Sequence, residues 1–105
     1  MKAENFNRIV EERIQKIKST LISKGAEYAS DNDRLYNFKR AGRISNQSSI
    51  QVLLGMMLKH WVSVLDLIEE LRPIDPVIEE DLINEKIGDI INYLILLEAL
   101  LKESL

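Results

Sequence analysis

The sequence predicts an all-α fold: three long helices plus a short connecting helix, assembled as an oligomeric helical bundle. Two observations predict the helices. Apolar residues recur at the spacing of one helical face in three long segments, and helix start and stop signals bound those segments. A third observation sets the number of domains, because 105 residues with 46% hydrophobic content fit a single helical domain over residues 1–105.

The first predicted helix covers about residues 5–24. Six apolar side chains recur along it at the spacing of one helical face, which marks the side expected to face the core. They are Phe6, Ile9, Val10, Ile14, Ile17 and Leu21. Gly25 follows at the position where a glycine in the left-handed conformation often ends a helix.

The second predicted helix covers about residues 49–71. Ser48 and Gln51 resemble a capping box at its start. Pro73 ends the helix, because the residue before a proline avoids the α region. Apolar residues fill an arc of roughly half its circumference. A polar stripe remains, formed by Lys59, Ser63, Asp66 and Glu70.

The third predicted helix starts near Asp75, a favourable N-cap, with Pro76 at the first helical position. It extends to about residue 102. From Ile90 onward, apolar side chains occur on almost every side of this helix. Its C-terminal half therefore requires neighbours on every side.

A chain of this size cannot easily surround such a helix by itself, because a small domain buries little of its surface. We therefore expect the C-terminal halves of several subunits to pack together. Leu96 and Leu100 are the residues expected in that contact. The predicted partner is the protein itself, as a homodimer or a tetramer.

The connection between the first two helices, residues 25–47, is long for a helical bundle. Connections of this length often carry function or contain a short element. Residues 33–42 have the pattern of a short helix, with Asp33 as the N-cap and Gly42 as the stop. Leu35 and Phe38 lie three positions apart, so both are expected to face the core.

Composition excludes several classes of protein. The sequence has no cysteine, which excludes disulfides, thiolate metal sites and cysteine nucleophiles. The charged first twenty residues predict no signal peptide, and no apolar run is long enough to predict a membrane span. Residues 1–46 carry a formal charge of +4 and residues 47–105 carry −7. Because the total is acidic, direct nucleic-acid binding is not expected.

Acidic residues form the first group that suggests chemistry. Asp81, Glu85, Asp89 and Asn92 lie on one side of the third predicted helix, and Glu85 and Asp89 are i,i+4 neighbours. Two carboxylates this close repel each other, and a divalent cation relieves the repulsion. Oxygen ligands of this kind suit Mg²⁺ or Mn²⁺. The alternative is a solvated polar face opposite the core side of the helix.

Basic residues form the second group. Lys59 lies on the polar stripe of the second predicted helix, where it either contacts a phosphate or points to solvent. His60 lies at the edge of the apolar arc, a position typical of a packed, hydrogen-bonded histidine rather than a catalytic base.

Aromatic and basic side chains alternate in the long connection, among them Lys24, Tyr28, Arg34 and Phe38. Aromatic rings stack on nucleotide bases, and basic side chains bind phosphates. The alternative is that the aromatic residues close one end of the bundle. The sequence contains no phosphate-binding loop, no dinucleotide-binding glycine motif and no nucleophile elbow.

Four short motifs over about residues 24–101 resemble a known family. They are Lys24-Gly-Ala-Glu27-Tyr28, Asn37-Phe38, Leu58-Lys59-His60 and Glu85-Lys-Ile-Gly-Asp89-Ile-Ile-Asn92-Tyr93. In this order the motifs resemble small phage-type proteins with the nucleotide-modification-associated domain. More distantly, they resemble the MazG-like all-α nucleoside triphosphate pyrophosphohydrolases.

The MazG-like resemblance implies a helical bundle that works as a dimer or tetramer, with carboxylates of two neighbouring helices binding Mg²⁺. It also implies cleavage of the bond between the α- and β-phosphates of a nucleoside triphosphate. The segment from Glu85 to Asp89 is similar to the Glu-Glu-Leu-Gly-Asp element of those enzymes, with Lys86 in place of the second glutamate. A cytoplasmic protein is expected, in the host cytoplasm if the protein is phage-encoded.

We therefore expect a Mg²⁺-dependent (or Mn²⁺-dependent) nucleotide pyrophosphohydrolase-like or nucleotide-binding protein. The predicted catalytic residues are Glu85 and Asp89, which also bind the metal, with Asp66 or Glu69 assisting. The predicted substrate-binding residues are Lys24 and Lys59 for phosphates, and Tyr28 or Phe38 for the base. The alternative is a non-catalytic phage or prophage helical oligomer that acts as a protein-interaction module.

Overall fold

The computed structural model describes residues 1–29, 32–71 and 78–105, and these residues form helices with no β-strand among them. The predicted all-α fold is thereby confirmed. The helices are α1 (Ala3–Ile17), a π-helical segment (Lys18–Ser23), α2 (Gly25–Tyr28), α3 (Tyr36–Ser45), α4 (Ser49–Glu69) and α5 (Glu80–Glu103). Three of them, α1, α4 and α5, are long, and α3 is the predicted short helix of the connection.

The first predicted helix does not continue as one α-helix to residue 24. After α1 the chain widens into the π-helical segment, whose end is marked by a bond of 3.0 Å from the Lys24 N–H to the Ser19 carbonyl oxygen. Gly25 opens α2 and has no left-handed conformation, so its predicted role as a helix stop is wrong. A Cβ atom at Gly25 would lie 3.0 Å from a guanidinium nitrogen of Arg34, so the glycine accommodates a close approach instead.

The predicted core face of α1 is also wrong for the single chain, because α1 contains no buried residue. Phe6, Ile9, Val10 and Ile14 are all exposed. A polar contact ties α1 to α5: Arg13 Nη2 donates to the Asn84 carbonyl oxygen at 3.0 Å. The contact depends on Gly88 of α5, since a Cβ atom there would lie 2.5 Å from Arg13 Nη1.

Helix α3 starts later than predicted, because its N-cap is Leu35 and not Asp33, and its end also differs from the prediction. Asp33 Oδ1 accepts a hydrogen bond from the Leu35 N–H at 3.0 Å, so Asp33 orders the turn that leads into α3. Gly42 lies buried inside the helix, which ends only at Asn46 with φ 56° and ψ 45°. Asn46 tolerates this left-handed conformation because its short polar side chain reduces the steric cost.

The start of α4 is confirmed in atomic detail. The Gln51 N–H donates to Ser48 Oγ at 3.1 Å, and the Ser48 N–H donates to Gln51 Oε1 at 2.9 Å, which completes the capping box. The helix α5 begins at Glu80, later than predicted. The predicted cap at Asp75 and Pro76 lies outside the described residues.

The core lies where α3, α4 and α5 meet. It is built on Leu35, Leu53 and Leu100, and Phe38 and Leu96 are among the partly buried side chains that pack against it. The prediction that Leu35 and Phe38 face the core is confirmed. The prediction that Leu96 and Leu100 lie in a contact between subunits is wrong, because α3 and α4 of the same chain cover that side of α5.

The helices α4 and α5 run antiparallel. Leu53 near the start of α4 packs with Leu100 near the end of α5, whereas His60 further along α4 contacts Asp89 earlier on α5. The α4–α5 pair is the centre of the fold, and α1 and α3 pack against it.

Replacing Gly42 by alanine is expected to destabilise the protein by about 1–3 kcal/mol, the usual cost of overpacking. The new Cβ atom would lie 2.6 Å from the Gln47 carbonyl oxygen, a backbone atom that cannot move aside alone. Gly55→Ala is the matched control, because no atom lies within 4 Å of the corresponding position. That change should stabilise α4 by roughly 0.5–1 kcal/mol. Chemical denaturation of both variants measures the difference, and equal effects would contradict the packing at Gly42.

Candidate ligand-binding cleft

One side of the α4–α5 pair carries a cleft of about 770 Å³, within the size range of small-molecule sites. Its walls come from the π-helical segment, the turn before α3, α3 itself and the middle and end of α5. The floor is apolar, with Leu21, Leu35 and Leu96 among its residues. The π-helical segment contributes Thr20 and Leu21, and segments of this kind occur frequently at functional sites.

Asp89 is the carboxylate at the centre of the α5 wall. Its Oδ2 atom lies 3.3 Å from Nδ1 of His60 on α4, and both side chains are partly exposed. The ring of His60 also packs against that of Tyr93, with centroids 4.8 Å apart. The predicted packed role of His60 agrees with this arrangement. His60 orients Asp89, and Asp89 and Tyr93 line the cleft.

The phenol of Tyr93 is held in its neutral form. Burial, and to a lesser degree the negative charge of Asp89, raise the pKa of Tyr93 above its ordinary range. Tyr93 therefore offers the cleft an aromatic ring and a hydroxyl group that can donate a hydrogen bond at neutral pH.

Asparagine side chains add hydrogen-bonding groups to the cleft. Asn37 of α3 and Asn92 of α5 both line it. The Oδ1 atom of Asn92 is buried and has no hydrogen-bond partner within the described part of the chain. A buried amide oxygen without a partner is costly, which is typical of a group whose partner is a ligand or an ordered water.

A charged cluster closes the end of the cleft and ties α3 to α5. Lys39 Nζ donates to Asp33 Oδ2 at 2.9 Å and also to the carboxylate of Glu103. The hydrogen bond from Lys39, and then that from the Leu35 N–H, lower the pKa of Asp33 below its ordinary value. The hydrogen bonds to Glu103 and then to Asp33 raise the pKa of Lys39. Both shifts favour the charged forms of Asp33 and Lys39 at neutral pH.

This cluster predicts that stability falls in acid. The folded state favours ionised Asp33 more than the unfolded state does, so the stabilisation is present above the ordinary aspartate pKa. It is lost as the pH falls through the lowered value, below about pH 4. In urea denaturation, Asp33→Asn should be less stable than the wild type at neutral pH, and the difference should shrink steadily as the pH falls below the ordinary aspartate pKa. A difference that stays constant across this range would contradict the assignment.

Of the residues predicted to form a site, Phe38 and Asp89 are in the described lining of the cleft. Four others are exposed and do not line it: Lys24, Lys59, Asp66 and Glu85. Glu85 lies one turn before Asp89 on α5, whereas Lys59 and Asp66 lie on the polar stripe of α4. The side chain of Tyr28 lies outside the described part of the structure.

The predicted metal site is not assembled by the protein alone. Within residues 1–29, 32–71 and 78–105, no group of three histidine, aspartate or glutamate side chains converges to hold a metal ion. Glu85 and Asp89 remain as one neighbouring pair. Magnesium is commonly held by one or two carboxylates together with phosphate oxygens of a substrate. Two carboxylates could therefore bind Mg²⁺ only if a substrate supplied further oxygen ligands.

Several cleft residues escaped the sequence analysis. Met56 of α4 and Ile95 and Ala99 of α5 were not predicted to belong to a site, and Tyr93 entered only through the resemblance. Tyr93 directly follows Asn92, which belongs to the predicted acidic group. That neighbouring position is the sequence feature that could have indicated Tyr93 as a site residue. The other three are ordinary apolar residues, and their role follows only from how the π-helical segment and α3 approach α5.

Comparison with models of protein families, with curated proteins and with solved structures gives no match to this chain. The fold and the cleft therefore define its class: a small all-α protein in which α3, α5 and a π-helical segment frame a ligand-sized cleft. The particular chemistry follows from the groups that line the cleft.

Proposed function

We propose that the protein binds a nucleotide in this cleft. The supporting observation is the buried amide oxygen of Asn92, which has no partner among the described residues and shares the cleft with the aromatic rings of Tyr93 and Phe38. An amide group that both donates and accepts matches the edge of a nucleobase, and an aromatic ring matches its face.

The charges around the cleft indicate how phosphates would be accommodated. Asp33, Asp89 and Glu103 line it, and Arg34 is the cation among the described lining residues. A triphosphate would be repelled by these carboxylates unless a divalent cation came with it. We therefore propose that triphosphates bind together with Mg²⁺ or Mn²⁺, with Asp89 as the protein ligand that lines the cleft. The bound cation would neutralise phosphate charge.

In its stronger form the proposal is that the protein is a nucleoside triphosphate pyrophosphohydrolase and that it works as an oligomer in the cytoplasm. The resemblance of residues 85–89 to the MazG-like element supports this form, as does the position of Asp89 in the cleft. Lys24 and Lys59 lie outside the cleft walls, so Arg34 replaces them in the proposal as the side chain that contacts phosphate.

Calorimetric titration with a non-hydrolysable nucleoside triphosphate, with and without Mg²⁺, tests the proposal. We expect binding of one nucleotide per chain that requires Mg²⁺, whereas the corresponding nucleoside should bind with or without it. Phe38→Ala should weaken binding by about 10–100-fold if the ring stacks on the base.

Tyr36→Ala is the matched control, because Tyr36 is an exposed aromatic residue of α3 outside the cleft. It should leave the affinity unchanged. Circular dichroism of both variants shows whether each remains folded. The absence of any nucleotide binding, or equal losses in the two variants, would contradict the proposed site.

The second candidate is the non-catalytic interaction module. The observation that favours it is the number of large apolar side chains left exposed on α1, α4 and α5. Exposed apolar patches of this kind mark interaction surfaces. This function would remain if the titration showed no nucleotide binding.

A further inference from the structure

A continuous apolar stripe lies on the exposed side of α4. It consists of Leu54, Leu58, Trp61, Leu65 and Ile68, each between 41% and 60% exposed. The steps of four, three, four and three residues are those of the a and d positions of a heptad, which interdigitate with another helix. The residues that directly precede Leu54, Leu65 and Ile68 are buried inside the chain. They are Leu53, Val64 and Leu67.

Helix α5 extends the same face. Ile83, Leu94 and Leu101 are exposed and lie on one side of α5. At about 100° per residue, this side lies roughly a quarter turn around the α5 axis from the side that packs on α4. On α4, the exposed stripe likewise lies about a quarter turn from the side that packs on α5. Both rotations have the same sense when each helix is followed from its N-terminus. Because the two helices are antiparallel, both stripes lie on the same side of the pair, which we call the hairpin face.

The hairpin face lies opposite the cleft. The residues of α5 that line the cleft, such as Asn92 and Ala99, lie on the other side of that helix. The segments that pack on the α4–α5 pair do so from the cleft side: Arg13 of α1 contacts α5 at Gly88, and the end of α3 packs on the start of α4. Within residues 1–29, 32–71 and 78–105, the fold therefore covers one side of the pair and leaves the hairpin face open.

The exposed area is too large for a compact monomer. The chain exposes 8134 Å² at a mass of 12.1 kDa, whereas a folded monomer of this mass exposes about 6,000 Å². The radius of gyration is 16.2 Å, against about 13 Å for a compact domain of this length. A standard stable interface requires about 800 Å² from each partner, which the excess area readily supplies.

We propose that the hairpin face binds the hairpin face of a second copy of this chain about a two-fold axis. Two antiparallel helices with heptad-spaced apolar residues are complementary to an identical pair, and together they form a four-helix bundle. The proposal deepens the oligomeric part of the proposed function and does not depend on nucleotide binding, since the cleft lies on the opposite side.

A membrane is the other candidate occupant, because α4 is long and apolar enough to cross a bilayer by length and composition. Its polar stripe argues against a span, since Lys59 and Asp66 would enter the hydrocarbon. Residues 47–105 also contain 11 acidic against 4 basic side chains, which disfavours attraction to an anionic lipid surface. The heptad spacing favours a helical partner.

Sedimentation velocity and light scattering on the full chain test the proposal. The wild type should be a dimer at micromolar concentration. Leu58→Glu should remain helical by circular dichroism but weaken the dimer by at least about 100-fold, because each copy would place a carboxylate in the interface. Ile44→Glu is the control, since Ile44 is 77% exposed on α3, away from the hairpin face. It should remain a dimer.

Trp61 provides a second measurement without any substitution, because it is the single tryptophan of the chain. Its fluorescence emission should shift to longer wavelength on dilution, as the dimer separates. A wild-type monomer, a Leu58→Glu dimer as tight as the wild type, or solvent-exposed Trp61 emission at every concentration would overturn the proposal. Co-sedimentation of the wild type with phosphatidylglycerol vesicles would overturn it in favour of a membrane.

Discussion

Replacing Leu100 by glutamate is expected to unfold the chain. Leu100 is only 3% exposed and belongs to the core formed with Leu35 and Leu53. A carboxylate at this position would be buried without a partner, at a cost of about 4 kcal/mol or more. That cost approaches the whole stability of a small domain, about 5–15 kcal/mol. Circular dichroism at neutral pH should show the loss of helix directly.

The control for this prediction is Ile44→Glu, which introduces the same charge at an exposed position of α3. It should change the free energy of unfolding by no more than about 0.5 kcal/mol. If Leu100→Glu instead kept a wild-type melting curve and only altered the oligomeric state, Leu100 would lie between subunits, and the packing of α5 on α3 and α4 would be wrong.

Replacing Asn92 by leucine is expected to move stability and binding in opposite directions. Leucine has the same branched outline as asparagine, and the change removes a buried amide oxygen that has no partner in the described residues. Relief of that cost should stabilise the ligand-free protein by about 1–3 kcal/mol. The same change removes the group proposed to contact the base, so nucleotide affinity should fall by at least about tenfold.

Thermal melting and calorimetric titration of Asn92→Leu separate a functional asparagine from a structural one. Glu98→Leu on the exposed side of α5 is a comparison that adds the same side chain outside the cleft. Its nucleotide affinity should equal that of the wild type. Loss of stability in Asn92→Leu, with unchanged nucleotide affinity, would show that Asn92 supports the fold and not the ligand.

Local signals predicted the fold well where a few neighbouring residues decide the structure. The capping box at Ser48 and Gln51 depends on contacts within three residues, and it forms. Gly25 and Gly42 were interpreted as helix stops by the same local reasoning. Each instead allows a close approach, to Arg34 and to the Gln47 backbone respectively, that depends on how distant segments pack.

The π-helical segment and the exposed face of α1 could not be predicted from periodicity. Helical spacing shows that one side of α1 is apolar, but it does not show whether the cover comes from the same chain. The same limitation applied to α5, where an all-round apolar pattern predicted a contact between subunits at Leu96 and Leu100. In the structure those residues face the core, and Leu94 and Leu101 are the exposed ones.

The candidate site was predicted in part. Periodicity placed Asp89 and Asn92 on one side of α5, and both line the cleft. The MazG-like resemblance added Asp66 to Glu85 and Asp89 as a metal ligand, and the three do not converge in the described part of the structure. Helical spacing reports which residues share one helix face, whereas Asp66 lies on another helix whose rotation is set by the packing of Leu53, Val64 and Leu67.

The central claim is that the cleft is a nucleotide site, and amide chemical shifts measure it most directly. The isotopically labelled full chain is titrated with a non-hydrolysable nucleoside triphosphate and Mg²⁺. The account predicts saturable shifts concentrated at Asn37, Phe38, Asp89, Asn92 and Tyr93. Shifts confined instead to the open concavity at residues 43–49, where α3 meets α4, or no shifts at saturating nucleotide, would contradict it.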